Sequence, residues 1–518
     1  MRPRTALLAS ASAAIGGAGV LVGITVTPAS GVTTLTVDTL VDGPANATDC
    51  TTPVAGSCSL RDAIAASSSG DVIEFAPGLT GTLALTNGTL TIAHALTVRG
   101  PEASALSIDA HNGSRIFTIY AGSGEPVTIE SLGLRNGYSG GSGGAIYLYH
   151  EGSDLTVRDV VMSGNSAISP GGAIYMRGSG DLTIERSAFV NNTSYSSGGA
   201  VAAWVPDLSI ADSNFVGNVT GSFGSAVAVI ASNSTTIERT MVTGNTGSAI
   251  ATHSQYATEI VDTTIVGNAG PGVMLRGGSA LVLRTTFDGN LGAVKIATPD
   301  PVDIVDCTLS NNFRDFGGAA IEFDTAGVLR VANSTIAQNR SDYGSAVSIP
   351  AGATVEIISS TISDNTSTSG AVAGIGLDAM GGTARLTLVS SIVSGNHAVG
   401  ATSADLGASA PLYITATTSL LGAIDPTILV ADVGTDLVGV DALLGPLADN
   451  GGPARTMALL AGSPAIDHGA APLPPFPYDQ WDQRGAPYQR VSGGRADIGA
   501  LEVQVAPAPA PVVPAFTG

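Results

Sequence analysis

The chain has 518 residues, a formal net charge of −21 and 12% charged side chains, about half the usual charged share. An acidic chain with no basic patch excludes nucleic acid and anionic membrane surfaces as partners. With 67 glycines, the composition fits a turn-rich β protein.

Arg2 and Arg4 open the chain, an Ala/Leu/Gly/Val-rich stretch follows from Thr5 to Val26, and Thr27-Pro28-Ala29 offers small residues for cleavage. Residues 1–29 therefore read as a secretion signal, with an uncleaved anchor as the alternative. No later segment approaches the 18 apolar residues of a membrane span. Cys50 and Cys58 lie eight apart in a polar loop, and an oxidising compartment would let them pair. Two thiols without a nearby histidine are too few for a metal site. No metal and no cofactor are expected.

Residues 31–130 hold short strands such as Val72-Ile73-Glu74-Phe75 without a clean repeat. Among them Leu60-Arg61-Asp62-Ala63-Ile64-Ala65-Ala66 reads as a helix. Ser59 caps its start and Asp62 stands three later, close to a capping box. An amphipathic helix at the front of a stack covers its open edge, so this segment is expected to be an N-terminal cap.

The repeat occupies 131–400. Eleven asparagines, Asn136, Asn165, Asn192, Asn218, Asn245, Asn268, Asn290, Asn312, Asn339, Asn365 and Asn396, recur at spacings of 22 to 31 residues. Units of that length cannot bury their own apolar face and must stack on copies of themselves. Each carries three apolar or β-branched runs of three to five residues, closed by Asn and Gly, which tolerate positive φ in turns. The prediction is an all-β parallel solenoid with three-strand rungs. Eight residues before each asparagine from Asn165 on stand Val157, Ile184, Ile210, Ile237, Ile260, Val282, Ile304, Val331, Ile357 and Leu388. Three before stand Met162, Phe189, Phe215, Val242, Ile265, Phe287, Leu309, Ile336, Ile362 and Val393. Both columns are wholly apolar and should form the stacked interior. The column five back is mostly Ser or Thr, with Cys307 as a buried spectator thiol. The first unit fits one residue out of register.

Six before the asparagine the column reads Asp159, Arg186, Asp212, Arg239, Asp262, Arg284, Asp306, then Asn333, Ser359 and Ser390. Seven charges alternate in sign, a pattern that avoids like charges on neighbouring strands. We read it as a structural ladder, with a polysaccharide-binding stripe as the sharper alternative. From about 400 the repeat fades. Residues 401–504 are predicted to contain the last rungs and a loop-rich second cap or small module, and 505–518 a disordered Pro/Ala tail.

Three segments resemble known families. Asp49-Cys50 through Gly56-Ser57-Cys58-Ser59-Leu60-Arg61-Asp62-Ala63-Ile64 resembles the CSLREA domain, with Asp62 where that family usually has Glu. Leu447-Ala448-Asp449-Asn450-Gly451-Gly452-Pro453, Gly462-Ser463-Pro464-Ala465-Ile466-Asp467, Asp482-Gln483-Arg484-Gly485 and Asp497-Ile498-Gly499-Ala500-Leu501-Glu502 resemble the choice-of-anchor Q domain. The repeats between resemble the right-handed parallel β-helix of pectin-lyase-like proteins and polymorphic outer-membrane repeats. These resemblances imply an exported or cell-surface β-helix and say little of its chemistry.

The pectin-lyase-like fold hosts polysaccharide lyases and glycoside hydrolases, but fold does not license function. No Asp-Asp pair appears, and His94, His111, His150, His253, His397 and His468 share no spacing. Lys295, the one lysine, lies in a strand beside Asp288 and Asp300 without a motif. No catalytic residue is assigned. Asp449, Asn450, Asp467, Asp482, Asp497 and Glu502 lack the spacing of a calcium loop, and Arg484 with Asp482 or Asp497 reads as a structural clamp. Loops after the asparagines carry Tyr138, Tyr195, Phe223, Phe313, Phe316 and Tyr343, which can stack on sugar rings or anchor a protein, or fold over the solenoid and shield it. Phe316 and Tyr343, on neighbouring rungs, are also placed to stack on each other. The expectation is a secreted monomer that binds an extracellular polysaccharide or a cell-surface protein, with a lyase or hydrolase as the alternative.

Overall fold

The computed structural model describes residues 31–504 apart from 53–54, 150–151, 371, 379–383, 402–403, 433–434 and 477–478. The predicted signal at 1–29, the tail at 505–518 and His150 lie outside the described residues.

Strands stack in parallel, one turn upon the next. Leu155–Arg158, Val161–Ser163, Ser166–Ala167 and Ile174–Arg177 represent the four tracks of one turn. Three are the predicted runs. The third track is a further two-residue strand, present only in some turns, that follows the asparagine. The second track stacks into a 15-stranded sheet. The first and fourth tracks merge into a 27-stranded sheet because Val201–Ala211 and Val227–Glu238 run unbroken through the bend between them. Pairing continues from Thr34–Val37 at one end to Ile428–Asp432 at the other.

The two apolar columns are piled in single file. Ile184 pairs with Ile210, and Ile210 with Ile237. Phe189 pairs with Phe215, their rings 4.7 Å apart and nearly parallel. All five of these residues are buried in one continuous core. Adjacent strands sit about 4.8 Å apart, so each apolar residue contacts its counterparts above and below.

The asparagines do something other than what the sequence implied. Ten of them, Asn165 to Asn396, are buried and do not carry the left-handed turn. That belongs to the preceding residue, such as Gly164, Asn191 or Gln338. Asn192 Oδ1 accepts from both the backbone N–H and the Nδ2 of Asn165 at 3.0 Å, while Asn165 Nδ2 also donates to the Leu134 carbonyl. The same bonds recur turn after turn to Asn396, whose N–H and Nδ2 donate to Asp405. A buried turn must satisfy its backbone groups, and a side-chain amide does so one rung away. Asn136 is the exception. With φ 53° it occupies the left-handed position, which is why the first unit looks one residue out of register.

A second ladder runs through the Ser/Thr column. Ser213 Oγ accepts from Ser187 N, and Ser187 Oγ donates to the carbonyl of Glu185. Cys307 is therefore not a spectator. Its Sγ accepts from Thr285 N, and its thiol faces the Val305 carbonyl at 3.1 Å. Burial pushes that thiol up to about 12.

At the front, Leu60–Ala66 is a helix with both bonds of the Ser59–Asp62 capping box formed. Leu60, Ala63 and Ile64 join the solenoid core. Arg61 holds Asp42 at 2.7 Å, and Cys50 and Cys58 form a disulfide with Cα atoms 4.8 Å apart. The C-terminal segment from Leu444 packs on the last rungs at Leu420 and Leu437. It lies along the flank of the second track. Gln483 Nε2 reaches the Cys307 carbonyl and Thr308 Oγ1, Asn333 Nδ2 donates to the Trp481 carbonyl, and Ala500 N donates to Thr361 Oγ1. Phe476 seals the adjoining strip of Leu283, Val305, Ala332 and Ile358.

Candidate functional site

Outward positions of the fourth track line an open concavity. Each strand there follows a Gly-Gly-Ala-like triplet whose close backbone approach leaves no room for side chains. A Cβ on Gly172 would stand 2.0 Å from the Gly199 carbonyl oxygen. The next outward positions are free to carry bulk. Tyr147 pairs with Tyr175 and Tyr175 with Ala202 in one column; Tyr149, Arg177, Trp204, Ile230, His253 and Arg276 follow one another in the next. The first column continues as Ala202, Ala228 and Ala251; the second lines an open groove of about 1050 Å³, with Tyr149, Arg177, Trp204, Ile230, His253 and Gly277 among its walls.

The aromatic rings form a connected row. Tyr147 stacks on Tyr175 at 5.6 Å and on Tyr149 at 6.3 Å, and Tyr175 meets Trp204 at 5.4 Å. Three guanidiniums lie over rings, Arg115 over Tyr147 at 4.7 Å, Arg177 over Tyr149 at 5.8 Å and Arg276 over Phe223 at 4.5 Å. Burial raises the Tyr147 phenol and lowers the Arg115 guanidinium. Tyr149, half exposed, and Trp204 stand on the groove itself with Arg177 and His253 in the same column, a set that can hold sugar rings by stacking and acidic or hydroxyl substituents by hydrogen bonds.

Of the six loop aromatics named from sequence, only Phe223 joins this groove, through a side chamber with Trp204 and Arg276. Phe316 and Tyr343 stack on each other at 5.0 Å, 66% and 60% exposed. Phe313 lies under Arg340. Tyr138 and Tyr195 stand exposed along the two-residue strands. Tyr147, Tyr149, Tyr175, Trp204, Arg177, His253 and Arg276 were missed. Their signal was present in register with Gly-Gly-Ala, whereas the columns had been counted from the asparagine.

Every residue of the charge column sits at a left-handed corner, with φ between 45° and 55° from Asp159 to Ser390. Arg186 grips Asp159, Arg239 grips Asp212 and Arg284 grips Asp262, each through two nitrogens. The column is thus a set of pairs. A parallel series, Glu74, Arg99, Glu130, Arg158 and Glu185, alternates beside it. Asp306 differs. It is buried beneath the C-terminal segment, and desolvation pushes its carboxyl up to about 7 despite a bond from Asn333.

Lys295 faces neither Asp288 nor Asp300. Its Nζ lies 2.9 Å from Asp324 and 3.9 Å from Glu322 of the next turn, and Arg314 pairs with Glu322. Asp288 is held by Arg455. Among the described residues no group of three or more His, Cys, Asp or Glu is arranged to hold a metal. Arg484 clamps Asp482 in the C-terminal segment, and Asp497 and Glu502 accept backbone N–H bonds. No helix among the described residues is long and apolar enough to cross a membrane.

The sequence matches the family described as right handed beta helix region over residues 115–297 and 256–412, together more than half of the 518 residues. The chain belongs to the right-handed β-helix family. Among solved structures, the crystal structure of pectate lyase Pel9A aligns with this β-helix over 91% of the chain and 97% of its own length, at 13% identity and a TM-score of 0.31. That sequence similarity is too low to carry chemistry across. No curated protein matches the β-helix in sequence.

Proposed function

We propose that this β-helix is a secreted or cell-surface, non-catalytic monomer that holds an extracellular polysaccharide along the groove of its fourth track. The observation that carries the reading is the outward column Tyr149, Arg177, Trp204, Ile230 and His253 along the groove, with the Arg177 guanidinium over the Tyr149 ring and Arg276 next in the column. Openness along the axis suits a polymer better than a small molecule. The CSLREA-like and choice-of-anchor Q-like termini support an exported location, and the adhesin-like role follows from location and groove together.

Retention of purified protein on insoluble acidic and neutral glycans tests the reading. Trp204→Ala with Tyr149→Ala should lower retention about tenfold, a loss of about 1.4 kcal/mol. Phe316→Ala with Tyr343→Ala, a separate platform, should lower it less. Unchanged retention in the groove variant would remove the groove from the account, and capture only by a protein surface would replace the polysaccharide.

A second reading, a polysaccharide lyase or glycoside hydrolase, is favoured by one observation, the cluster of Lys295, Glu322 and Asp324 at the fourth track beyond Arg276, joined by Arg314 from the two-residue strand Phe313–Arg314. Release of unsaturated or reducing ends from a glycan, abolished by Lys295→Ala, would establish it over the binding reading.

A further inference from the structure

The C-terminal segment meets the solenoid through a sealed group of charges. Asp306 comes from the corner column. Asp482, Arg484, Arg490, Asp497 and Glu502 come from the segment, and all are buried. Four buried carboxyls thus share two buried guanidiniums, with Arg284, bound to Asp262, at the margin. Arg484 is committed to Asp482. Arg490 touches no carboxylate. Its Nη2 donates to the carbonyls of Asp497 and Gly499, its Nη1 reaches Asn333 Oδ1 at 3.5 Å, and its Nε has no partner. With every group ionised the sealed groups would carry more negative than positive charge out of water, even with Arg284 facing Asp306 from the margin, and proteins avoid this by keeping such groups neutral.

We propose that this segment is a proton-held clasp, docked on the second track while two of the four buried carboxyls are protonated and released from it when they ionise. The two are Asp306 and Glu502. Asp306 faces Arg284, Cys307 and Asn333 on the solenoid and Asp482 and Arg490 on the segment. Glu502 accepts from Ser492 N and Asp497 N and faces Asp497 and Arg490. Asp497, which also faces Asp467, is pushed up by burial but is held toward its ionised form by Val503 N and Asp467 N.

Burial raises Asp306 and Glu502 from 3.8 and 4.5 to about 7 each. Once undocked they return to ordinary carboxyl values. The docked form binds more protons between those limits, so docking is strongest near pH 4, weakens as pH rises and is weakest above about 7. Release uncovers Thr308, Thr335, Thr361 and Ile392, which continue the column that Val161, Asn214, Met241 and Thr264 already present to solvent. The clasp therefore sets the length of an accessible sheet face by pH.

Hydrogen exchange of the full chain at pH 5.5 and 8.0, expressed as protection corrected for intrinsic rates, tests this. Protection of the amides of residues 482–502, among them Gly499 and Ala500, which donate to Ser390 and Thr361 of the solenoid, should fall at least tenfold at pH 8.0, while the amides of Asn218, Asn245 and Asn268 stay constant. Asp306→Asn, which mimics the protonated carboxyl, should flatten the dependence, and Glu502→Gln should reduce it. Equal protection at both pH values in the wild-type chain, or an undiminished dependence in Asp306→Asn, would overturn the proposal. The wild-type comparison needs no variant to fold.

Discussion

Two stretches of the second track share a backbone and differ in what lies on them. From Asp159 to Arg284 the corner residues are charged, exposed and paired across turns. From Asp306 to Ser390 the same left-handed corner carries one acid, an Asn and two Ser, all buried beneath the C-terminal segment. The outward column beside it changes in step, from Val161, Asn214, Met241 and Thr264, which face solvent, to Thr308, Thr335 and Thr361, which are covered. Corner geometry therefore does not choose the side chain. Solvent does: in water an alternating Asp/Arg column suppresses repulsion along the stack, and under cover a neutral hydrogen-bonding residue avoids burying charge.

The interior should be blind to this difference, and that is the strongest way to break the comparison. Asn245 lies under the open half and Asn339 under the covered half. Each accepts two bonds from the preceding asparagine and donates to a carbonyl about one turn back. Replacing either with Ala leaves a buried N–H and a buried C=O without partners, at roughly 1–3 kcal/mol for each orphaned group. Asn245→Ala and Asn339→Ala should each cost about 3 kcal/mol in denaturant unfolding and agree within 1 kcal/mol. A markedly smaller loss in one half would mean that the cover, and not the ladder, carries that half.

A matched pair on the outward column isolates the cover. Thr335 Oγ1 donates to Gln483 Oε1 in the sealed seam, while Thr264 is exposed. Thr335→Val should cost about 2 kcal/mol by orphaning the glutamine oxygen, and Thr264→Val should change stability by less than about 0.5 kcal/mol. Comparable effects from the two would show that the segment is not docked in solution.

Legibility followed periodicity. The interior columns could be read because every turn buries the same positions, so Ile184, Ile210 and Ile237 repeat one chemical demand. The chemistry of the asparagine was misread because positive φ and ladder bonding both favour Asn, and only Asn136 sits where the first reason applies. The groove escaped because its outward column runs Tyr149, Arg177, Trp204, Ile230 and His253, a different chemistry at each turn; a site is made by departures from the repeat. The seam escaped for a different reason. Gln483 meets Thr335 across 148 residues, and no local pattern encodes a contact between a periodic and an aperiodic segment.

The smallest effect sharpens the open half alone. Arg239→Asp would place three acids in line at Asp212, 239 and Asp262 and remove the two-nitrogen grip on Asp212, whose carboxyl that guanidinium now holds below its ordinary value. The residues are exposed, so salt screens most of the repulsion beyond about 10 Å at 0.1 M. The melting temperature should fall slightly at low salt and recover at high salt. Arg284→Asp, one step nearer the seam, should recover less, because it would also add an acid beside buried Asp306, which faces Arg284 where salt does not reach. Equal salt recovery in the two variants would place Asp306 in solvent and dissolve the boundary between the halves.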